Sequence, residues 1–420
     1  MSKSFPFDEK KIKEIIATYP TPFHIYDEAA LRQTARNLKQ AFSWSKDYIN
    51  YFAVKANPNP YLMEILKEEG MGADASSLAE LILSDKIGLK GQQIMFTSNN
   101  TPPDEYKKAY ELGAVINLDD ISQIGVLEKA LGGKFPEFIS FRYNPGPDLQ
   151  TGEGNTIGSP KDAKFGVTTA QLPEAYKIAR DKGAKRFGLH TMVVSNELNE
   201  DAHIQTATMI FEMALKLSDE VGVNIEQVNF GGGLGVAYKP TDKEIDLEKV
   251  SQGIKAEYER LIKGTTLDPL RIVTENGRYV TGPNGYLITS ARSLKNTYHN
   301  FVGVDSCMAD LMRPGMYDAY HHISVVGKEG QPKKPQRIVG GLCENNDIFT
   351  CKTDRDLPEI EVGDVLVIHD TGAHGRSMGF NYNGKLRHGE LLLKEDGSVK
   401  QIRRNETLED YFATLDYPGL

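Results

Sequence analysis

Residues 226–236 read EQVNFGGGLGV, a short apolar run that ends in a cluster of glycines. Similar β-rich runs recur along the first two thirds of the chain, separated by longer amphipathic stretches. Runs of this length and composition predict strands, and apolar residues at helical spacing predict helices between most of them. The predicted strands are 49–54, 71–75, 94–97, 114–118, 138–143, 186–194, 226–230 and 271–275.

The alternation of strands and helices predicts a parallel α/β fold. An open doubly wound sheet and a closed (β/α)8 barrel both accommodate this number of strands. The positions of the polar residues favour the barrel, because such barrels place their chemistry at the C-terminal ends of the strands. Polar or glycine residues at those ends include Lys55, Asp74, Asn144, His190, Gly231 and Glu275.

After about residue 285 the sequence consists of short β-rich runs separated by Gly, Pro, Asn and Asp. This pattern predicts a separate all-β domain. We therefore expect a barrel over 31–285 and a β-domain over 286–420. The Gly-rich, aperiodic segment 144–164 predicts a long functional or mobile loop.

Composition restricts the function classes. The chain of 420 residues has 49 Lys and Arg against 58 Asp and Glu, a net charge of -9. This balance argues against sequence-independent binding of nucleic acid. Three cysteines are too few for a disulfide framework and fit reduced thiols in the cytoplasm. We see neither a signal peptide nor an apolar run of membrane-spanning length, so we expect a cytoplasmic protein.

Several motifs suggest a chemical role, and for most of them a simpler structural interpretation also exists. Burial at the end of a strand favours the free-amine form of a lysine, which Schiff-base chemistry needs, so Lys55 is a candidate for that chemistry. A lone lysine, however, more often reaches solvent. Three consecutive glycines after a strand favour phosphate binding, but Val236 breaks the dinucleotide fingerprint. Glu275 beside Arg278 is equally compatible with a salt bridge and with a catalytic role. Carboxylates near Cys343 disfavour its thiolate and suit a proton donor.

Taken in order, these motifs resemble those of the fold-type III pyridoxal-phosphate decarboxylases, with diaminopimelate decarboxylase as the closest match. The resemblance covers nearly the whole chain and is carried by YFAVKAN, GADASSLAEL, DAKFG, NFGGGLGV, ENGRYV, VDSCMADLMRPGMYDAYH, CENND and GFNYNG. It implies a barrel that binds pyridoxal 5'-phosphate and a β-domain joined by the N-terminal residues 1–30. It also implies a homodimer with active sites at the interface.

On this resemblance, Lys55 would form the Schiff base with the cofactor, Glu275 would stabilise the pyridinium, and Cys343 would be the proton donor. The implied cofactor contacts are Lys55, Asp74, Ser77, His190, Ser195, Gly231, Gly232, Gly233, Glu275, Arg278 and Tyr382. The implied substrate contacts are Arg278, Arg313, Tyr317, Glu344 and Tyr382. Arginines suit a distal carboxylate and Glu344 a distal ammonium, which favours decarboxylation of meso-diaminopimelate to L-lysine.

One departure from the family pattern bears on specificity. The family usually has His-x-His-Ile-Gly-Ser where residues 190–195 read HTMVVS, so Met192 replaces a histidine that stacks on the cofactor ring. Lysine, ornithine, arginine and a carboxylated polyamine precursor such as carboxynorspermidine therefore stay open as substrates. An amino-acid racemase is disfavoured by Glu275, and a regulatory homologue without cofactor is disfavoured because Lys55 and Cys343 are retained.

Overall fold

The structure is a computed structural model that describes residues 3–148 and 160–419. The chain divides into two compact units. The barrel unit comprises residues 32–236 and 243–280, and the β-unit comprises 1–31, 237–242 and 281–420. The central part of the loop predicted over 144–164 lies outside the described residues.

Strands and helices alternate through the barrel unit, whereas strands dominate the last third of the chain. The strands are β1 (Phe23–Asp27), β2 (Ile49–Ala53), β3 (Gly72–Ala75), β4 (Ile94–Thr97), β5 (Val115–Leu118), β6 (Phe138–Asn144), β7 (Val167–Thr168), β8 (Arg186–Thr191), β9 (Ile225–Asn229), β10 (Arg271–Thr274), β11 (Gly285–Asn296), β12 (Asn300–Val304), β13 (Ile323–Val325), β14 (Lys333–Val339), β15 (Arg355–Pro358), β16 (Val365–Ile368), β17 (Glu390–Leu393) and β18 (Val399–Arg403). The helices are α1 (Glu9–Thr18), α2 (Glu28–Ala41), α3 (Pro60–Glu68), α4 (Leu78–Lys86), α5 (Pro103–Glu111), α6 (Gln123–Ala130), α7 (Leu172–Asp181), α8 (Glu200–Val221), α9 (Leu247–Leu261), α10 (Arg278–Thr281), α11 (Arg313–Tyr317) and α12 (Leu408–Phe412).

The barrel unit is a closed ring of parallel strands. Among the described residues the order is β2-β3-β4-β5-β6-β8-β9-β10, and β10 pairs back onto β2. The short strand β7 pairs with β6 at the edge of this ring. The closed eight-stranded parallel barrel predicted from the sequence is therefore confirmed, and the open sheet is excluded.

Helix α8 of this unit has a capping residue at each end. In α8, the Asn199 side chain accepts a hydrogen bond from the Asp201 amide at 3.0 Å, and Gly222 ends the helix at a φ of 67°. The positive φ favours glycine at that position. The buried face of α8 includes Ile210, Phe211 and other apolar residues, and each fully buried side chain contributes roughly 1.5–3 kcal/mol.

The β-unit is a mixed sheet into which the N-terminal segment is built. Strand β1 lies between β11, to which it is antiparallel, and β17, to which it is parallel. Its core includes Ile25, Ile288 and Val367. The sheet also contains β15, which the sequence analysis did not predict because its residues RDLP show no apolar alternation.

Candidate active site

Lys55 lies just beyond the C-terminal end of β2, in a short 3-10 turn formed by Val54–Ala56. Val54 and Ala56 are buried in this turn, but the side chain of Lys55 is exposed. The burial that the sequence argument required of this amine is therefore not found. Its position at the end of a barrel strand agrees with the sequence analysis.

Glu275 follows β10 directly, and two neighbouring side chains hold its carboxylate. It is buried, and its carboxylate accepts hydrogen bonds from Asn229 Nδ2 at 2.7 Å and from His190 Nε2 at 3.0 Å. Burial by itself raises the pKa of Glu275, but the attraction of His190 and the two hydrogen bonds outweigh it, so the pKa lies below its ordinary value. Glu275 is thus an ionised carboxylate in a buried setting.

Asp74, on β3, differs from Glu275 in its protonation. Its side chain is buried, and its Oδ1 has no hydrogen-bond partner among the described residues. Burial, followed by the nearby negative charge of Glu275, raises the pKa of Asp74 well above its ordinary value, and Lys55 opposes this only in part. The protonated form of Asp74 is therefore favoured, and the two carboxyl groups differ in charge.

The glycine run after β9 is held tightly against its neighbours. Gly231 and Gly233 have φ values of +69° and +110°. A Cβ atom on Gly232 would lie 2.6 Å from the carbonyl oxygen of Glu275. Each of the three glycines thus has a backbone or packing reason of its own. The phosphate binding that the sequence suggested stays a prediction. The Leu234 amide donates to Asn276 Oδ1 at 3.2 Å, which fixes the end of this loop.

Met192 lies against this glycine run. Strand β8, predicted to run to residue 194, ends at Thr191, so Met192 lies beyond the strand that carries His190. The Gly232 amide donates a hydrogen bond to Met192 Sδ at 3.1 Å, whereas His190 contacts Glu275. The two side chains therefore contact different parts of this region.

The remaining predicted positions in the barrel unit lie at the start of a helix, as do Ser77 and Arg278, or in a bend, as does Ser195. Ser77 caps α4 by accepting a hydrogen bond from the Glu80 amide at 3.3 Å. The Glu80 carboxylate accepts a hydrogen bond from the Ser76 amide at 2.7 Å. Ser195 and Arg278 are half-buried, and Arg278 is the first residue of α10.

Two polar residues, the half-buried Arg142 and the buried Asn229, were missed by the sequence analysis. Arg142, on β6, lies 3.9 Å from Asp119 Oδ1 and 4.3 Å above the ring of Phe165. Asn229 ends β9 and bonds Glu275. The only signal for Arg142 was a charged residue inside the apolar run FISFRYN, which needs a partner when it is buried.

The other predicted residues belong to the β-unit. The Cys343 amide donates to Asn383 Oδ1 at 2.7 Å, which brings the CENND segment next to the turn that begins at Tyr382. The side chains of Cys343, Glu344 and Tyr382 are exposed. Asp347 of the same segment is buried and accepts hydrogen bonds from backbone amides, including that of Leu342 at 2.7 Å.

Arg313 and Tyr317 are the first and last residues of α11. Arg313 is buried, whereas Tyr317 is 60% exposed. The guanidinium of Arg313 lies 2.7 Å from His321 Nε2 and 4.6 Å above the ring of Tyr238. Among the described residues, no helix is long and apolar enough to cross a membrane, and no group of His, Cys, Asp and Glu is placed to bind a metal ion.

Comparison with known proteins agrees with this architecture. Protein TabA of Pseudomonas amygdali pv. tabaci is 40% identical over 406 residues, covering 97% of this chain and 94% of TabA. The diaminopimelate decarboxylase of Methanothermobacter thermautotrophicus is 34% identical over 414 residues, covering 97% and 94% of the two chains. The diaminopimelate decarboxylase of M. jannaschii superposes with a TM-score of 0.89 at 29% identity, covering 97% and 94%. That of Helicobacter pylori, complexed with L-lysine, superposes with a TM-score of 0.86 at 30% identity, covering 96% and 98%.

The closed parallel barrel and the mixed β-sheet unit, matched by these solved structures over nearly the whole chain, are the architecture of a fold-type III pyridoxal-phosphate enzyme. The barrel end fits this cofactor, since it presents an ionised buried carboxylate and two buried polar atoms, His190 Nδ1 and Asp74 Oδ1, without partners in the described residues. Residues 28–282 match the family model described as "Pyridoxal-dependent decarboxylase, pyridoxal binding domain". The chain therefore belongs to the pyridoxal-dependent decarboxylases and is a pyridoxal-phosphate-dependent carboxy-lyase.

Proposed function

We propose that this enzyme removes CO2 from meso-diaminopimelate and releases L-lysine. The observation that carries the chemistry is Glu275, a buried carboxylate kept ionised by Asn229 and His190. Such a group can hold a proton on a pyridine nitrogen, which decarboxylation through pyridoxal phosphate requires. The choice of substrate is supported by relatives that are diaminopimelate decarboxylases, aligned over nearly the whole chain.

The barrel residues would bind the cofactor. Pyridoxal phosphate, when bound, supplies an electron sink for the carbanion left by loss of CO2. Lys55 would hold the aldehyde carbon and Glu275 the pyridine nitrogen, while Arg278 would hold the phosphate. The other proposed contacts are Asp74, Ser77, His190, Ser195, Gly231, Gly232, Gly233 and Tyr382. Apart from Tyr382, these contacts lie within residues 31–285, which we propose as the cofactor-binding domain.

Residues of the β-unit would bind the substrate and supply a proton. Cys343 would protonate the α-carbon from its Sγ, and the bond from its amide to Asn383 fixes the backbone for this task. Arg313 would bind the distal carboxylate and Glu344 the distal ammonium. The remaining proposed substrate contacts are Arg278, Tyr317 and Tyr382. We further propose a cytoplasmic homodimer with shared active sites.

A second candidate is a decarboxylase for another basic amino acid or for carboxynorspermidine. It is favoured by Met192, which lies on the glycine run where the family has a histidine. The 40% identity to TabA, higher than that to the diaminopimelate decarboxylase of M. thermautotrophicus, also leaves this possibility open.

Turnover of meso-diaminopimelate by the purified, pyridoxal-phosphate-loaded enzyme tests the proposal, with lysine, ornithine, arginine and carboxynorspermidine assayed in parallel. We expect L-lysine from meso-diaminopimelate and much slower reaction of the others. Arg313→Ala should impair meso-diaminopimelate turnover far more than turnover of lysine. Arg337→Ala, which removes a β-unit arginine paired with Asp354, is the matched control and should change neither. Faster turnover of another substrate would replace the proposal by the second candidate.

A further inference from the structure

The surroundings of Arg313 contain a histidine, His321, to which the proposed chemistry gives no role. We propose that His321 is a positioning residue, which directs the guanidinium of Arg313 toward the distal carboxylate of the substrate. The inference rests on the proposed function, because that proposal assigns Arg313 to this carboxylate.

The hydrogen bonds of His321 fix its tautomer. Its Nδ1 lies 2.8 Å from the carbonyl oxygen of His369, and a carbonyl oxygen only accepts, so Nδ1 carries a hydrogen and donates it. Its Nε2 lies 2.7 Å from Nη1 of Arg313. A guanidinium nitrogen only donates, so Nε2 must offer its lone pair. His321 is therefore a neutral imidazole that donates on one side and accepts on the other.

This arrangement leaves little freedom to either side chain. His321 is fully buried and Arg313 is 8% exposed. Tyr238 also packs against both side chains, because its ring lies 4.6 Å from the guanidinium carbon and 5.1 Å from the His321 ring in an edge-to-face contact. The segment 237–242 that carries Tyr238 belongs to the β-unit, as do Arg313 and His321.

The neutral state of His321 matters for the binding of a substrate carboxylate by Arg313. A carboxylate at the position of His321 Nε2 would orient Arg313 but would also compete with a substrate carboxylate for the same charge. An imidazole lone pair and an aromatic face orient the guanidinium without cancelling its charge. Planar, bidentate recognition of a carboxylate depends on orientation, so loss of the acceptor should weaken binding of the distal carboxylate.

Two substitutions separate this role from a merely structural one. His321→Gln places an amide oxygen near the position of Nε2 and can still accept from Arg313. His321→Asn places a nitrogen near the position of Nδ1, so it can still donate to His369 but no longer reaches Arg313. The KM and kcat for meso-diaminopimelate are measured with the loaded enzyme. Inhibition by L-lysine, which keeps the distal carboxylate, is compared with inhibition by 1,5-diaminopentane, which lacks it.

For His321→Asn we expect KM for meso-diaminopimelate and the inhibition constant of L-lysine to rise roughly tenfold to a hundredfold. We expect little change in kcat or in inhibition by 1,5-diaminopentane, and substantial rescue in His321→Gln. Equal behaviour of the wild type and both variants would overturn the inference but leave the proposed function intact. Equal losses in both variants, for both inhibitors, would show a structural role and overturn it too. A wild type that does not convert meso-diaminopimelate would overturn the proposed function and this inference together.

Discussion

The burial of His24 leads to a prediction of how the stability of this enzyme responds to acid. It lies on β1 and is fully buried, and neither ring nitrogen has a hydrogen-bond partner among the described residues. Burial lowers its pKa from 6.5 to about 4, with Arg376 and His388 acting in the same direction. The negative charges of Asp310 and Glu390 oppose this shift without cancelling it.

The sign and size of the effect follow from these values. Because the folded-state pKa of His24 lies below its unfolded value, the unfolded chain takes up the proton first as the pH falls. The contribution of neutral His24 to the free energy of unfolding is fully present above a pH of 6.5. This contribution is lost progressively as the pH falls toward about 4. Fully expressed, the loss is about 3 kcal/mol in the free energy of unfolding, of which about 2 kcal/mol has already appeared near pH 5.

Urea unfolding at a series of pH values from about 8 to about 5 measures this free energy. His24→Leu, which takes up no proton, should remove about 2 kcal/mol of the loss near pH 5. Part of the acid response should persist, because burial also lowers the pKa of His322 to about 4 and that of His369 to about 3. Ile25→Val is the control, since it should lower the free energy of unfolding equally at every pH. Parallel curves for His24→Leu and wild type would refute the reasoning.

Three further predictions concern the barrel end. Lys55→Ala should abolish the visible absorbance of bound cofactor together with turnover, and a variant that keeps both would contradict the assignment of Lys55. Glu275→Gln should lower kcat by two or more orders of magnitude, because a neutral amide does not hold the pyridine proton; steady-state kinetics on the loaded variant would show this, and an unchanged kcat would count against it. Met192→Leu removes the sulfur that accepts from the Gly232 amide and so frees this amide for a phosphate oxygen. Since the bond to sulfur is weak, we expect the dissociation constant of pyridoxal phosphate to fall only a few-fold. Spectroscopic titration measures it, and weaker binding would argue that the thioether supports the cofactor.

Much of the fold could be predicted because strand ends are marked in the sequence. β4 agrees with its predicted bounds, and β2 differs by one residue. The prediction for β8 ran three residues too far, since Met192, Val193 and Val194 continue the apolar run although the backbone leaves the sheet after Thr191. A hydrophobic pattern reports burial, and burial in this segment comes from packing in the loop region after the strand.

The candidate site was only partly predictable, for a different physical reason. Lys55 and Glu275 were found because each follows a recognisable strand. Asn229 was not found, since its importance depends on reaching Glu275 across the pairing of β9 with β10, and the two residues are 46 positions apart. Likewise, nothing in the sequence near Arg313 indicates that His321 would accept from its guanidinium.

The arrangement of charge around β2 connects these observations. β2 pairs with β3 on one side and with β10 on the other, so the strand that leads to Lys55 runs between those that carry Asp74 and lead to Glu275. Two ionised carboxylates so placed would repel each other in a medium of low dielectric. Hydrogen bonds from Asn229 and His190 resolve the conflict, because they favour the charge on Glu275 and leave the proton with Asp74. One negative charge is thereby fixed beside the strand that leads to Lys55, and its place is decided by Asn229 and His190.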